Sequence, residues 1–517
     1  MGLPPWETSD SQLFALITGA NSGLGYSIAE RLTDEFLTSP STPPNKHLVL
    51  VLTTRSPLKS RLTISRLRAH LRILVEKSSF AKELRKKTVA EGREYKWEDM
   101  VNKVHFLAVQ ADLCDLRSVY ALADQLVNGT VGSPDATNSS GGKLPYGSPG
   151  TQSFSEDMQQ HPDALRGSNG AQRAWGWGLS GIRLPRLDVI ALNAGTGGWI
   201  GLNWPMAIMD VLTDAVNSTT WPRFKVANYG AVVKAQLPST SQDSGDGKQH
   251  DPPLGEVFCS NLFGHYILAH ELMPLLSRPA SPDAQTSGRI IWISSIEAQP
   301  HSLNIDDVQA LNSRTPYESS KRLTDLVALT SNLPSVARVS APYYDATQTI
   351  TAPKESKGQL VKPVMYTTHP GVFNSDILPL PTILMFFWRI FALVARWLGS
   401  PWHPCDPYKA AVAPVWVALT EEERLEEFGG TAVKWGSATN FWGDERVKMT
   451  EVGGWGWNGK VGAIMNEEKR NGRHREAIDL TEEAREEFEV LGSQCWKQME
   501  ELRLEWEKLL KPIIRKK

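Results

Sequence analysis

The sequence predicts an α/β fold built on a doubly wound parallel sheet, and two observations carry that prediction. Short apolar, β-rich runs recur at 13–17, 48–52, 104–109, 187–192, 290–293 and 364–368, with helical patterns between them. Strands that alternate with helices form parallel β-α-β units, and strands that are apolar throughout belong to a sheet covered on both faces. The second observation is the turn that ends the first run, Thr18-Gly19-Ala20-Asn21-Ser22-Gly23-Leu24-Gly25. It passes straight into a helical pattern at Ile28, Ala29 and Leu32. A sheet of this kind gathers its ligands at the C-terminal ends of its strands.

The length of 517 residues would allow several domains, but the excess over one sheet reads as insertions. We expect one Rossmann-type domain over residues 1–440 and a C-terminal helical extension over 441–517. Loose inserts rich in Gly, Ser, Asn and Pro fall near 129–181, 238–253 and 341–358. Residues 55–103 are charged and periodic, and predict one or two surface helices. The stretch 480–510 predicts an amphipathic helix with Phe488, Leu491, Trp496, Leu502 and Trp506 along one stripe. A net charge of -2 gives no reason to expect nucleic acid as a partner. Cys114, Cys259, Cys405 and Cys495 lie too far apart for metal-ligand spacing, so a reducing compartment and no metal are expected. The N-terminus has neither a basic region nor an apolar core of the signal-peptide kind.

Leu378 to Leu398 is aromatic and apolar, and approaches the length of a spanning helix. Prolines at its start and Arg389 and Arg396 within it favour a helix lying in a membrane interface, or a substrate lid, over a span.

The glycine turn lets the backbone come close to a pyrophosphate at a helix N-terminus, which assigns cofactor contacts to Thr18, Gly19, Asn21, Gly23, Leu24 and Gly25. Where NAD-binding folds carry an acidic residue after the second strand, this chain has Thr54 and Arg55. A guanidinium pairs with a 2′-phosphate, so NADPH is the expected cofactor. Tyr317 and Lys321 are four apart and share a helix face. A free phenol has a pKa of about 10, and an adjacent ammonium is expected to lower it. The fifth run ends in Ser294-Ser295. The Ser295 hydroxyl is placed to bond a substrate carbonyl, with Ser294 the alternative if the register slips by one.

The spacing Thr-Gly-x-x-x-Gly-x-Gly, with Tyr317-x-x-x-Lys321 after the fifth strand, resembles the short-chain dehydrogenase/reductase family. The resemblance implies further roles. Asp112 would approach the adenine, and Asn193-Ala194-Gly195 would let the cofactor pass close to the backbone. Asn261 would hold a water in a proton relay, and Lys321 would also hold the nicotinamide ribose. Pro370, Gly371, Val372 and Ser375 would form the turn beside nicotinamide. One departure is the insert 296–316, which lengthens the separation from Ser295 to Tyr317. Segments 292–296, 303–307, 317–326, 398–403, 408–411 and 434–439 are similar to the fungal 3-keto sterol reductases within that family. That likeness implies NADPH-dependent reduction of a sterol 3-ketone to the 3β-alcohol in the 4-demethylation steps of ergosterol biosynthesis. It also implies peripheral attachment to the cytosolic face of the endoplasmic reticulum membrane or to lipid droplets, alongside other sterol 4-demethylation enzymes. The alternatives are a reductase of another lipid carbonyl, and a scaffold within that set of enzymes.

Overall fold

The computed structural model describes residues 12–134, 181–237, 251–279, 287–351, 360–375, 377, 382–463, 466 and 470–514. Its main sheet has eight strands. They are β1 (Gln12–Ile17), β2 (His47–Thr54), β3 (Val104–Gln110), β4 (Val189–Leu192), β5 (Arg289–Ile293), β6 (Val364–His369), β7 (Lys434–Thr439) and β8 (Glu445–Thr450). The order across the sheet is β3-β2-β1-β4-β5-β6-β7-β8. All neighbours are parallel except β7 and β8. The order reverses between β1 and β4, and the crevice above that point is where a doubly wound sheet binds its ligand.

Successive side chains leave a strand on opposite faces, and each face here has its own core. Phe14, Leu16, Val49, Val51, Ile190 and Trp292 belong to one, and Ala15, Ile17, Leu50, Leu52, Ile291 and Ile293 to the other. The helices that matter below are α1 (Gly23–Thr38), α2 (Pro57–Lys77), α3 (Ser79–Ala90), α4 (Trp97–Val101), α5 (Trp204–Thr213) and α6 (Ala215–Thr220). Next comes α7, running through Glu256–Phe258, a π turn at Cys259–Phe263, and Gly264–Glu271. The rest are α8 (Pro316–Thr330), α9 (Pro334–Tyr344), α10 (Thr382–Trp397) and α11 (Glu482–Ile514). Helix α1 covers one face of the sheet; α7, α8 and α11 cover the other.

The structure differs from the sequence reading in several places. The region 55–103 holds three helices, α2 to α4, and α2 is not merely a surface helix, because Ile64, Leu67, Leu71 and Val75 are buried in the core. The sheet runs on past residue 440 through β8. Helix α11 is packed into the same core as α7 and α8, with Trp496 and Trp506 fully buried. Its polar side chains are buried too: Arg503 bonds Glu500, Glu507 and His270, and Tyr266 donates to Glu500. The stretch 341–358 is not loose throughout. Helix α9 enters it with Tyr343 fully buried, and the Glu271 carboxylate accepts from the N–H groups of Ile350 and Thr351. Residues 352–359, and the expected inserts over 135–180 and 238–250, lie outside the described residues. Val131 and Ile182 pair across 135–180. No helix among the described residues is long and apolar enough to cross a membrane.

Candidate active site

The glycine turn is built by close approach. Gly19 and Gly23 have φ of 66° and 51°, which a side chain disfavours. A Cβ on Gly19 would lie 2.9 Å from Ala194 Cβ, and one on Gly25 would lie 2.4 Å from the Gly19 carbonyl oxygen. A Cβ on Gly23 would meet nothing within 4 Å, so the turn is packed from below and open above. Thr18 joins this turn to the next strand. Its hydroxyl accepts from Asn193 N at 2.8 Å and Ala194 N at 3.0 Å, and the Asn193 amide donates back to the Thr18 carbonyl at 3.0 Å. His265 bonds the same hydroxyl at 2.8 Å, and burial pushes its imidazole down to about 3, so the ring is neutral. The sequence reading missed His265; its only signal is its place one helical turn after Asn261. Asn21 is turned onto Ser22, and Leu24 is buried.

At the end of β2, the Thr54 hydroxyl is spent on the entry to α2, donating to the Ser56 carbonyl at 2.8 Å, while Arg55 is exposed. Asp112 accepts from Cys114 N and is exposed at the end of β3. Asn261 lies in the π turn. Its oxygen accepts from Thr196 N at 2.7 Å, and its nitrogen donates to the Thr196 carbonyl and to Ser320 Oγ. A Cβ on Gly195 would lie 2.7 Å from that oxygen, so the small residue there is required.

Ser295 lies beside the Tyr317 phenol and lowers it, and the Ser295 hydroxyl accepts from Glu297 N at 3.2 Å. The Ser294 hydroxyl instead donates to the Lys321 carbonyl at 3.3 Å, so Ser295 is the serine that faces the tyrosine. The insert between Ser295 and Tyr317 forms short turns at Pro300–Ser302 and Ile305–Asp307 that return the chain to the same place. Lys321 Nζ lies 5.7 Å from the centre of the Tyr317 ring and donates to the Ile293 carbonyl at 2.7 Å. The expected lowering of Tyr317 by Lys321 is not found. Burial and the Glu297 carboxyl raise the phenol, and the nearby Ser295 opposes them. The reason is that the ammonium is turned onto a backbone carbonyl. Burial also brings Lys321 down to about 8, against the pull of Asp325.

A charged cluster beside the tyrosine was not foreseen. Lys225, on a ribbon formed by Trp199–Leu202 and Lys225–Ala227, pairs with Glu297 and Glu318. Its ammonium lies 5.4 Å from the centre of the Tyr317 ring, and the Trp199 ring lies 4.9 Å from it. The only hint in the sequence is that these two carboxyls directly follow the site, one residue after Tyr317 and two after Ser295.

After β6 the chain turns at Gly371, whose φ is 67°. A Cβ there would lie 2.8 Å from the carbonyl oxygens of both Ser437 and Trp402. Val372 N donates to the Trp402 carbonyl at 2.6 Å, and Pro370, Val372 and Ser375 are half-buried beside it. The Asn374 amide lies against the Arg389 guanidinium, which ties α10 to this turn. Arg396 is buried and donates to the carbonyls of His403 and Pro404. Helix α10 thus turns both arginines onto the body of the protein while Phe386, Phe387, Ile390 and Trp397 stay exposed. Helix α5 exposes Ile208, Met209 and Leu212, and α6 packs against both helices. The sequence reading missed α5 as a second apolar surface helix.

No family model matches the chain. A 3-keto-steroid reductase of Gibberella zeae is 41% identical over 98% of this chain and 97% of that protein. The chain belongs to the fungal 3-keto-steroid reductase family. A second member of the family, from Aspergillus fumigatus, is 40% identical over 97% of this chain and 95% of that protein. Among solved structures, an NADPH-bound carbonyl reductase from chicken fatty liver aligns over 84% of this chain and 98% of its own, at 13% identity and a TM-score of 0.32.

Proposed function

We propose that this chain is an oxidoreductase that reduces the 3-ketone of a 4-methyl sterol to the 3β-alcohol with NADPH, in the 4-demethylation steps of ergosterol biosynthesis. Membership of the 3-keto-steroid reductase family over nearly the whole chain carries this reading. The placing of Ser295 beside Tyr317 at the end of β5 supports the chemistry.

The crevice fits a dinucleotide. Its glycine turn is closed toward Ala194 and open at Gly23, as a bound pyrophosphate requires. Thr18, Gly19, Asn21, Gly23, Leu24 and Gly25 would hold the pyrophosphate. Asp112, Asn193, Ala194 and Gly195 would hold the adenine and ribose side. Pro370, Gly371, Val372 and Ser375 would hold the nicotinamide side. Thr54 packs the end of β2 from which the exposed Arg55 is free to meet a 2′-phosphate. When bound, the reduced nicotinamide supplies hydride to the carbonyl carbon.

The residues do the rest. Ser295 and Tyr317 donate to the carbonyl oxygen, and these bonds strengthen as charge grows on it. Burial keeps the phenol protonated, which is the form that can give a proton. An alkoxide is a far stronger base than a phenolate, so the transfer to oxygen runs downhill. Lys321 is the cation nearest along α8 to meet the phenolate left behind. Asn261 holds the 193–196 loop to α8 and so fixes the wall of the relay.

A sterol arrives from a membrane. The exposed faces of α10 and α5 would lie in the interface, α10 reaching the site through Asn374 and Arg389. This fits peripheral attachment at the cytosolic face of the endoplasmic reticulum or on lipid droplets, next to other sterol 4-demethylation enzymes. The test is an assay of purified protein with a 4-methyl-3-keto sterol and either NADPH or NADH, following cofactor absorbance and product stereochemistry. Formation of the 3β-alcohol with a preference for NADPH is expected. No turnover of the ketone overturns the reading.

A further inference from the structure

The motif that opens β7, Lys434-Trp435-Gly436-Ser437, was singled out in the sequence, yet the site described above gives it no task. Lys434 is paired with Thr367 on β6, and Thr367 with Trp292 on β5. It therefore sits two strands away from β5, level with a residue three before Ser295. Its side chain is 3% exposed and crosses to the far strand. There Nζ donates to the Ser295 carbonyl at 2.7 Å and to Asp325 Oδ2 at 2.6 Å. Asp325 is fully buried, on α8, one turn beyond Lys321 and two beyond Tyr317. A buried ion pair contributes little net stability over an apolar pair of the same size, so its use is to be sought in geometry and charge.

We infer that Lys434 and Asp325 are positioning residues of the active site, fixing the backbone at Ser295 and the charge felt by Lys321. This rests on the reductase reading. Two ammonium groups grip the end of β5 on either side of Ser294, Lys321 at the Ile293 carbonyl and Lys434 at the Ser295 carbonyl. With both carbonyls held, the backbone that sets Ser295 beside Tyr317 is fixed. Asp325 accepts from Lys434 through one oxygen, and its other, Oδ1, is buried with no hydrogen-bond partner among the described residues. The carboxylate thus acts on Lys321 as well, raising it while Lys434 lowers it.

The surrounding charges are few. Arg322 on α8 also faces Asp325, and donates to the Gly453 carbonyl. His369 on β6 and His265 on α7 are kept neutral by burial. The Lys225, Glu297 and Glu318 cluster lies beside Tyr317.

The experiment is the pH profile of kcat/KM for ketone reduction by the full chain and two variants. In the wild type the rate falls as Lys321 loses its proton, near its pKa of about 8. Lys434→Met removes a like charge and frees Asp325, so the falling limb moves to higher pH by about one unit. The same variant lowers kcat roughly tenfold or more through the released Ser295, and Lys434→Arg restores most of it. Asp325→Asn moves the limb the other way, to lower pH. NADPH binding by fluorescence and the denaturant midpoint report whether each variant is folded. Limbs that do not move, or that move in the same direction, overturn the assignment. If Lys434→Met does not fold, the near-isosteric Asp325→Asn decides by its limb alone. A wild type with no ketone reductase activity overturns the reductase reading, and this assignment falls with it.

Discussion

At the scale of single residues, the proposed reaction turns on one phenol whose surroundings keep it protonated. Tyr317 is raised by burial and by Glu297, and Ser295 offsets part of this. Replacing Tyr317 with Phe keeps the ring against Trp199 and removes only the proton donor. We expect kcat to fall by about 10²- to 10⁴-fold, with the unfolding midpoint and NADPH affinity nearly unchanged. Retained turnover would remove the tyrosine from the chemistry and favour a scaffold. Arg55 is the second residue to test. It is exposed at the end of β2 with no acidic neighbour in the turn, so a 2′-phosphate is a fitting partner. Arg55→Ala should raise the KM for NADPH by roughly tenfold and leave that for NADH within about twofold, as expected for loss of one charge-assisted pair. Equal changes in both would remove the role.

At the scale of elements, what was legible in the sequence is what depends on neighbours along the chain. The strand–glycine turn–helix unit at 12–38, the Tyr317 and Lys321 pair on α8, and the apolar runs β1 to β6 all follow local spacing. The ribbon that brings Lys225 to Tyr317 was not legible, because a short strand with one lysine carries no periodicity, and its partners lie far along the chain. Strands β7 and β8 were missed because their polar residues, such as Lys434 and Lys448, interrupt the apolar run that marks a strand. Helix α10 was read correctly as aromatic and apolar, but the use of its arginines was not, since Arg396 meets its carbonyls only after the chain turns at 398–402. A prediction follows for this helix. Phe386 and Phe387 are 60% and 50% exposed, so they add little to the folded core. Changing both to Ser should leave the unfolding midpoint within the error of the measurement. It should also weaken flotation with liposomes by tenfold or more, since each buried aromatic side chain is worth about 1.5–3 kcal/mol of transfer. Unchanged flotation would show that α10 does not meet the bilayer.

At the scale of the whole molecule, the question is whether the C-terminal helix is an appendage or a wall of the core that holds α8. Expectation from the sequence set it apart as an extension over 441–517, since a charged amphipathic stripe shows that a face is covered and not what covers it. In the structure its stripe faces α8, the helix that carries Tyr317 and Lys321. Trp496 is fully buried, and its indole N–H donates to the Val327 carbonyl on α8 at 3.1 Å. Its ring also packs on Tyr266 of α7 and on Tyr343 of α9, with centres 5.8 and 5.3 Å apart. One side chain therefore joins three helices on one face of the sheet. Trp496→Ala would leave a cavity among them and an unpaired carbonyl on α8, at a cost of about 3–5 kcal/mol. That cost is felt by the whole fold only if α11 unfolds together with the sheet. We expect one cooperative denaturant transition in both proteins, with a lower midpoint and the same slope in the variant. A variant that unfolds in two steps, α11 first and the sheet later at the wild-type midpoint, would show instead that α8 stands without it.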